Sequence, residues 1–503
     1  MSQNTSNKLV FFDKEKYRHP STYQLLPFSF THHSDDRYII SNDSGEYTFL
    51  TQDELGRVIS RELSPGSDLY LNLKGKFFIA DTIDDNLLNL LATKIRTKKS
   101  FLYAFTSLHI FVVTLRCDHS CGYCQVSRQN VANTKYDMSP ETADKSVDLV
   151  FKSASDTIKI EFQGGESLLN FSLVKRIVLR ALEKNKTANK NLQFIIATNL
   201  SNITDDQLEF CKLYNILIST SLDGTEDLHN ANRPLPSQDS YKRFSTNLER
   251  VRSKLGYGGV SALMTTTTLS LQRPKEIIDE YVKLGFRSIF LRSISPYGFA
   301  TRTKNLSFYE TEEFLKFYKT GLDHILNLNR KGIELSESLA EIILRKILTP
   351  FPTHFVDLQS PAGVGIGAVV YNYDGLVYLS DEARMLAEMG DKHFALGDVH
   401  QNTYAEIFTN PILVNALNQS VAEVLPGCSD CAYKPFCGAD PTYHYRVQGD
   451  EAGHRPTSGF CQRNMGVIRH LIDLIESGDQ EILDIFYSWI NRTSVRETKE
   501  LRS

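Results

Sequence analysis
Cys117, Cys121 and Cys124 stand in a Cys-x3-Cys-x2-Cys spacing within FVVTLRCDHSCGYCQVSRQ. Three thiolates so spaced can hold three irons of a cubane cluster and leave the fourth iron open to a ligand. Zinc with His119 or His109 as fourth ligand is the alternative. A second set lies late: Cys428-x2-Cys431-x5-Cys437 with Cys461 beyond it, enough for zinc or a four-iron cluster. Of the 8 cysteines, Cys211 remains; it shares a helical face with Leu208 and Tyr214 and reads as a buried free thiol.

These residues need elements to place them. The β-branched run from Leu108 to Leu115 reads as a buried strand, with the first cysteines on the loop leaving its C-terminal end. Strand patterns follow at 157–162, 192–198, 216–221, 260–267 and 287–292, and helix patterns near 140–153, 170–185, 204–214, 238–254 and 273–284. Six βα units with parallel crossovers predict an α/β fold, a partial (β/α)6 TIM-type barrel with its chemistry at the C-terminal strand ends.

Each further motif falls at such an end. Gln163-Gly164-Gly165-Glu166 follows the second strand; glycines allow close backbone approach, and a carboxylate can pair with an ammonium. Thr198 and Asn199 follow the third, within reach of a ribose hydroxyl or as a lead-in to a helix capped by Thr204 and Gln207. Ser221, Asp223, Gly224, His229 and Arg233 follow the fourth, His229 reading as structural.

The cysteine triad with Gly-Gly-Glu and Ser-Leu-Asp-Gly resembles the radical S-adenosylmethionine (SAM) superfamily. The resemblance implies a 4Fe-4S cluster whose open iron chelates the amino and carboxylate groups of SAM and passes it one electron. It places Tyr123 beside the adenine, Gly164, Gly165 and Glu166 at the amino group, Ser221 at the ribose and Arg233 on the carboxylate. The late segment is similar to the SPASM extension of peptide-modifying radical enzymes. That pattern carries Cys-x2-Cys-x5-Cys-x3-Cys, a later Cys, and earlier cysteines flanking an Asp-Gly turn. Here Asp374-Gly375 keeps the turn, while Ser360, Ser380 and Pro441 replace three ligands. The resemblance thus implies one auxiliary 4Fe-4S cluster, at Cys428, Cys431, Cys437 and Cys461, and the loss of another. Ser380, Asp381, Glu382 and Arg384 sit where a lost ligand would have faced the cavity; a carboxylate there, Asp381 or Glu382, is a candidate base, and a solvated or salt-bridged turn is the alternative.

The whole chain resembles the B-type radical SAM maturase of the His-Xaa-Ser system, on LHIFVVTLRCDHSCGYCQVSRQ and YNYDGLVYLSDEARM. That implies a ribosomal precursor peptide as substrate, with hydrogen abstraction by a 5′-deoxyadenosyl radical. It also implies a partner maturase and an electron donor of flavodoxin or ferredoxin type. Other SPASM-type reactions, thioether or formylglycine formation, are rivals; a non-catalytic zinc-stabilised binding protein is another.

Residues 1–100 read as an α+β, winged-helix-like domain. RYIISNDSGEYTFL predicts a hairpin, Thr51 and Glu54 a capping box, LYLNLKGKFFIAD an extended stretch and DNLLNLLATKIRTKK an amphipathic helix. No helix there is basic enough to read DNA. In peptide-modifying radical enzymes a similar module grips the substrate leader by strand addition. The barrel spans 101–308, a helical bridge 309–355, the SPASM-like domain 356–470 and C-terminal helices 471–503. A net charge of −4 suggests no nucleic-acid partner. No apolar run is long enough to cross a membrane, and MSQNTSNKLVFFDKEK lacks a secretory h-region, so a cytoplasmic setting with reduced thiols is expected.

Overall fold
The computed structural model describes residues 23–303, 306, 308–353 and 355–502. The N-terminal stretch read for a secretory signal lies outside them. The chain divides into two compact units: residues up to Arg96 with Asp430–Pro435, and Thr97–Ser429 with Phe436–Ser503.

In the first unit, strands Ser29–Ser34, Arg37–Ser41 and Tyr47–Thr51 form an antiparallel sheet in that order. The hairpin expected over 37–51 is there, its turn closed by Asn42, whose Oδ1 accepts the amides of Ser44 and Glu46. Thr51 caps helix Gln52–Ile59, with Glu54 completing the box. The stretch expected to be extended departs from the reading, because Asp68–Gly75 is a helix. Leu69, Leu71 and Leu73 mimic strand alternation, but Ser67 Oγ accepts the amide of Tyr70, and Tyr70 and Leu73 are buried at helical spacing. Tyr23, Ile40, Leu50, Val58, Leu73 and Phe78 form its core.

The second unit is built on an eight-stranded sheet. Leu108–Thr114 lies near its middle, buried except at its first residue. Thr157–Gly164, Asn191–Thr198, Leu217–Ser221 and Val260–Leu263 follow outward on one side, all parallel. Between them run helices Pro140–Val150, Phe171–Ala188, Asp205–Leu213 and Ser240–Leu255, close to the expected positions. On the other side Ala368–Tyr371 adds in parallel, followed by antiparallel Leu376–Tyr378 and Ala395–Asp398.

The sixth barrel strand differs from expectation. Only Ser288–Ile289 is a strand, and it pairs with Ser336–Glu337 rather than entering the main sheet. Beyond it a side chain replaces the ladder: the amide of Leu291 donates to Glu337 Oε1 at 3.0 Å. No helix among the described residues is long and apolar enough to cross a membrane.

Candidate active site
The parallel strands deliver one loop each to a common end, and a cavity of about 240 Å³ opens there. Cys117, Cys121, Tyr123, Cys124, Gly164, Gly165, Asn199, Ser221, Arg233 and Asp381 all line it. Residues far apart in sequence thus meet at one place.

The cysteine loop is braced on both sides. Before it, Arg116 grips Asp137 through Nε at 2.7 Å and Nη2 at 2.8 Å, and Thr114 Oγ1 donates to the same carboxylate at 2.5 Å. After it, the carbonyl of Cys124 accepts the amide of Phe299 at 2.7 Å. Burial pushes the Cys121 thiol up to about 12 and raises Cys117 as well. Metal coordination reverses such a preference by binding the thiolate. His119 is a poor fourth ligand: Nδ1 lies 2.8 Å from Asp118 Oδ1 and Nε2 2.8 Å from Ser240 Oγ, so both nitrogens are engaged. His109 is fully buried and bonded to Thr106 and Tyr371. Three thiols with no competing imidazole suit an iron–sulfur cluster better than a four-ligand zinc site.

Gly164 and Gly165 are required by the neighbouring strand. A Cβ on Gly164 would lie 1.9 Å from the Thr114 carbonyl oxygen, and one on Gly165 2.3 Å from that of Arg116. Gly164 also has a φ of 133°. Glu166 sits differently from the expected ammonium partner. It is 3% exposed, and its oxygens accept the amides of Leu168 at 3.0 Å and Asn199 at 2.8 Å. Burial raises its carboxyl to about 7, against those hydrogen bonds.

Asn199 is held from both ends, its side chain donating to Asp118 Oδ1 at 2.7 Å. Burial opposes ionisation of Asp118, but hydrogen bonds from His119, Ser201 and Asn199 outweigh it and hold the carboxyl well below the usual range. Thr204 and Gln207 form the expected capping box.

Asp223 gathers the opposite wall. Its Oδ2 accepts the Tyr123 hydroxyl at 2.5 Å and Arg233 Nε at 3.0 Å. The Arg233 guanidinium also lies 5.4 Å from the Tyr123 ring centroid. Arg233 therefore reaches the cavity already paired. His229 is structural, as read: it is buried, stacked on Phe244, and accepts the Asp223 amide at 3.4 Å.

Ser380 caps helix Asp381–Ala387 by accepting the Ala383 amide. Asp381 faces the cavity and is paired to Arg384. The Glu382 carboxyl is raised by burial and by Asp357, Asp381 and Asp440. Ser360 donates to Glu423, and Pro441 opens helix Pro441–Gln448. Cys428, Cys437 and Cys461 are half-buried in the second unit, while Cys431 lies in the segment grouped with the first. Sequence reasoning missed Asp118, Arg128, Arg292 and Met385, of which the last three line the cavity; nothing local marks them.

The model described as the Radical SAM superfamily matches residues 111–281. An uncharacterized protein of Methanocaldococcus jannaschii is 36% identical over 117 residues, 23% of this chain and 38% of that protein. The cysteine-type anaerobic sulfatase-maturating enzyme of Clostridium novyi is 24% identical over 331 residues, 64% of this chain and 83% of that enzyme. Thus the chain spans well under half of the first relative and most of the second. Native anSMEcpe with bound AdoMet and Cp18Cys peptide shares the fold at a TM-score of 0.60 and 18% identity, over 74% of this chain and 99% of that one. Streptococcus suis SuiB bound to precursor peptide SuiA does so at 0.51 and 11%, over 86% and 98%.

Fold and cavity agree with the superfamily match: residues 111–281 are a radical SAM enzyme domain. The chain is similar in sequence to the anaerobic sulfatase-maturating enzymes and in fold to SuiB.

Proposed function
We propose that this enzyme modifies a ribosomally made precursor peptide of the His-Xaa-Ser repeat type. The observation that carries the reading is the meeting of three thiols with Tyr123, the Gly164-Gly165 main chain, Asn199, Ser221 and Arg233 around one cavity. A 4Fe-4S cluster and SAM bound there supply one-electron cleavage and a hydrogen-abstracting radical. The chain's own residues orient and enclose. Tyr123 flanks the adenine, and Asn199 and Ser221 take the ribose. The Gly164-Gly165 main chain receives the amino group, beside Glu166, whose carboxylate accepts the Asn199 amide. Arg233, whose Nε is committed to Asp223, offers its terminal nitrogens to the carboxylate. Asp381 or Glu382 would accept the proton lost by the substrate radical, with the auxiliary cluster as acceptor of its electron.

Cys428, Cys431, Cys437 and Cys461 hold one auxiliary cluster, and residues 1–100 dock the leader at a sheet edge. A partner maturase and a flavodoxin or ferredoxin complete a cytoplasmic system. The support for a peptide substrate is that two proteins sharing the fold were solved with bound peptides. Mass spectrometry of a co-expressed His-Xaa-Ser precursor tests the reading. A mass change that requires Cys117, Cys121 and Cys124 is expected; an unaltered precursor contradicts it.

A second reading, oxidation of a Cys or Ser to formylglycine, is favoured by the similarity to the Clostridium novyi enzyme over 331 residues. Co-expression with a sulfatase in place of the precursor separates the two.

A further inference from the structure
Arg384 is fully buried, among the largest side chains so enclosed. A buried cation costs several kcal/mol unless its partners are well placed. Two of its nitrogens are used: Nη2 donates to Asp381 Oδ1 at 2.6 Å, and Nη1 to the Val126 carbonyl at 3.3 Å. Nε has no partner. Asp381 lines the reaction cavity, and so does Val126, on the loop just past Cys124. One guanidinium therefore bridges the cavity wall on helix Asp381–Ala387 and the loop that carries the cysteines.

A second tie runs the same way. Met389, just beyond that helix, accepts the Gly298 amide on its sulfur at 3.1 Å, and the next amide, of Phe299, donates to the Cys124 carbonyl. Gly298 packs so closely that a Cβ there would lie 2.6 Å from that carbonyl oxygen. Among the described residues only Arg384 hydrogen-bonds the Asp381 carboxylate, which leaves Oδ2 for an N–H or O–H donor of the substrate.

We propose that Arg384 is a positioning residue: it holds the Asp381 carboxylate at the cavity wall and sets its separation from the loop after Cys124. The proposal rests on the reading that Cys117, Cys121 and Cys124 hold the SAM-cleaving cluster. The effect is geometric, and small displacements from a productive arrangement cost large factors in rate.

The test uses reconstituted full-length enzyme with SAM and no peptide. Three quantities are read: the electron paramagnetic resonance spectrum of the reduced, SAM-bound cluster, the rate of 5′-deoxyadenosine release, and the unfolding midpoint. Arg384→Gln is expected to shift the spectrum and to slow release by about tenfold. Arg384→Lys keeps a cation for Asp381 but cannot reach both partners. It should recover release to within about threefold of wild type while the spectrum stays shifted. A wild-type spectrum in either folded variant overturns the proposal, and so does loss of release that is equal in Gln and Lys and follows the midpoint alone. If the Gln variant does not fold, the Lys spectrum decides. A wild-type enzyme that holds no iron or releases no 5′-deoxyadenosine defeats the underlying reading instead.

Discussion

The hydroxyl of Tyr123 donates to Oδ2 of Asp223 at 2.5 Å, joining the cysteine loop to the end of the fourth barrel strand. Asp223 is wholly buried and also carries Arg233, whose side chain is 13% exposed. Removing one member of such a pair leaves the other charged and uncompensated, at a cost of about 3–5 kcal/mol. Asp223→Ala should lower stability by that order in urea unfolding. Tyr123→Phe, which loses one hydrogen bond to a charged group, should cost about 1.5–3 kcal/mol. Equal stability of Asp223→Ala and wild type would remove Asp223 as the organiser of that wall.

Gly164→Ala should be poorly tolerated. The added carbon meets a backbone oxygen at 1.9 Å, and the φ of 133° is strained for any side chain. Soluble yield and the unfolding midpoint are the measurements. A midpoint unchanged from wild type would mean that the Gly-Gly turn has room the structure does not show.

Glu166 gives stability a pH dependence. Burial raises its carboxyl from 4.5 to about 7. Between those values the folded state binds more protons than the unfolded state. Stability therefore falls as pH rises from about 4.5 to about 7, and this contribution is constant above that. The span amounts to about 3 kcal/mol in metal-free protein. Glu166→Gln should flatten that slope when unfolding is compared near pH 5 and pH 7.5; an unaltered slope assigns it to other groups.

Iron content tests the ligand assignment. Ser360 is bonded to Glu423, Ser380 is a helix cap, and Pro441 offers no side-chain ligand. Two four-iron clusters are expected, about eight irons per chain after anaerobic reconstitution. The variant lacking Cys428, Cys431, Cys437 and Cys461 should keep about half. Cys211→Ala should change nothing, since that thiol is fully buried on its helix. Close to twelve irons would mean that the missing ligands are misread. About four irons with one zinc would make the late site structural.

Much of this arrangement was legible in the sequence because its signals are local. The apolar run Leu108–Thr114, the cap at Thr204 and the cysteine spacing each lie within a few neighbouring residues. The helix Asp68–Gly75 was misread because alternate leucines imitate a strand, and only Ser67 and the burial of Tyr70 reveal the period. The short sixth strand escaped because its competitor is the side chain of Glu337, remote in sequence. Asp118 as a site residue, and the tie of Arg384 to the cysteine loop, were invisible for the same reason. Their partners Ser201 and Val126 lie 83 and 258 residues away, and no spacing rule reaches that far.

The central claim is that Cys117, Cys121 and Cys124 hold the cluster that cleaves SAM. Anaerobic reconstitution with iron and sulfide, then dithionite and SAM, followed by quantitation of 5′-deoxyadenosine, tests it most directly. Wild type should release 5′-deoxyadenosine. The variant with all three cysteines changed to Ala should release none above background while its circular dichroism stays that of a folded barrel. Undiminished release from the folded triple variant would contradict the account.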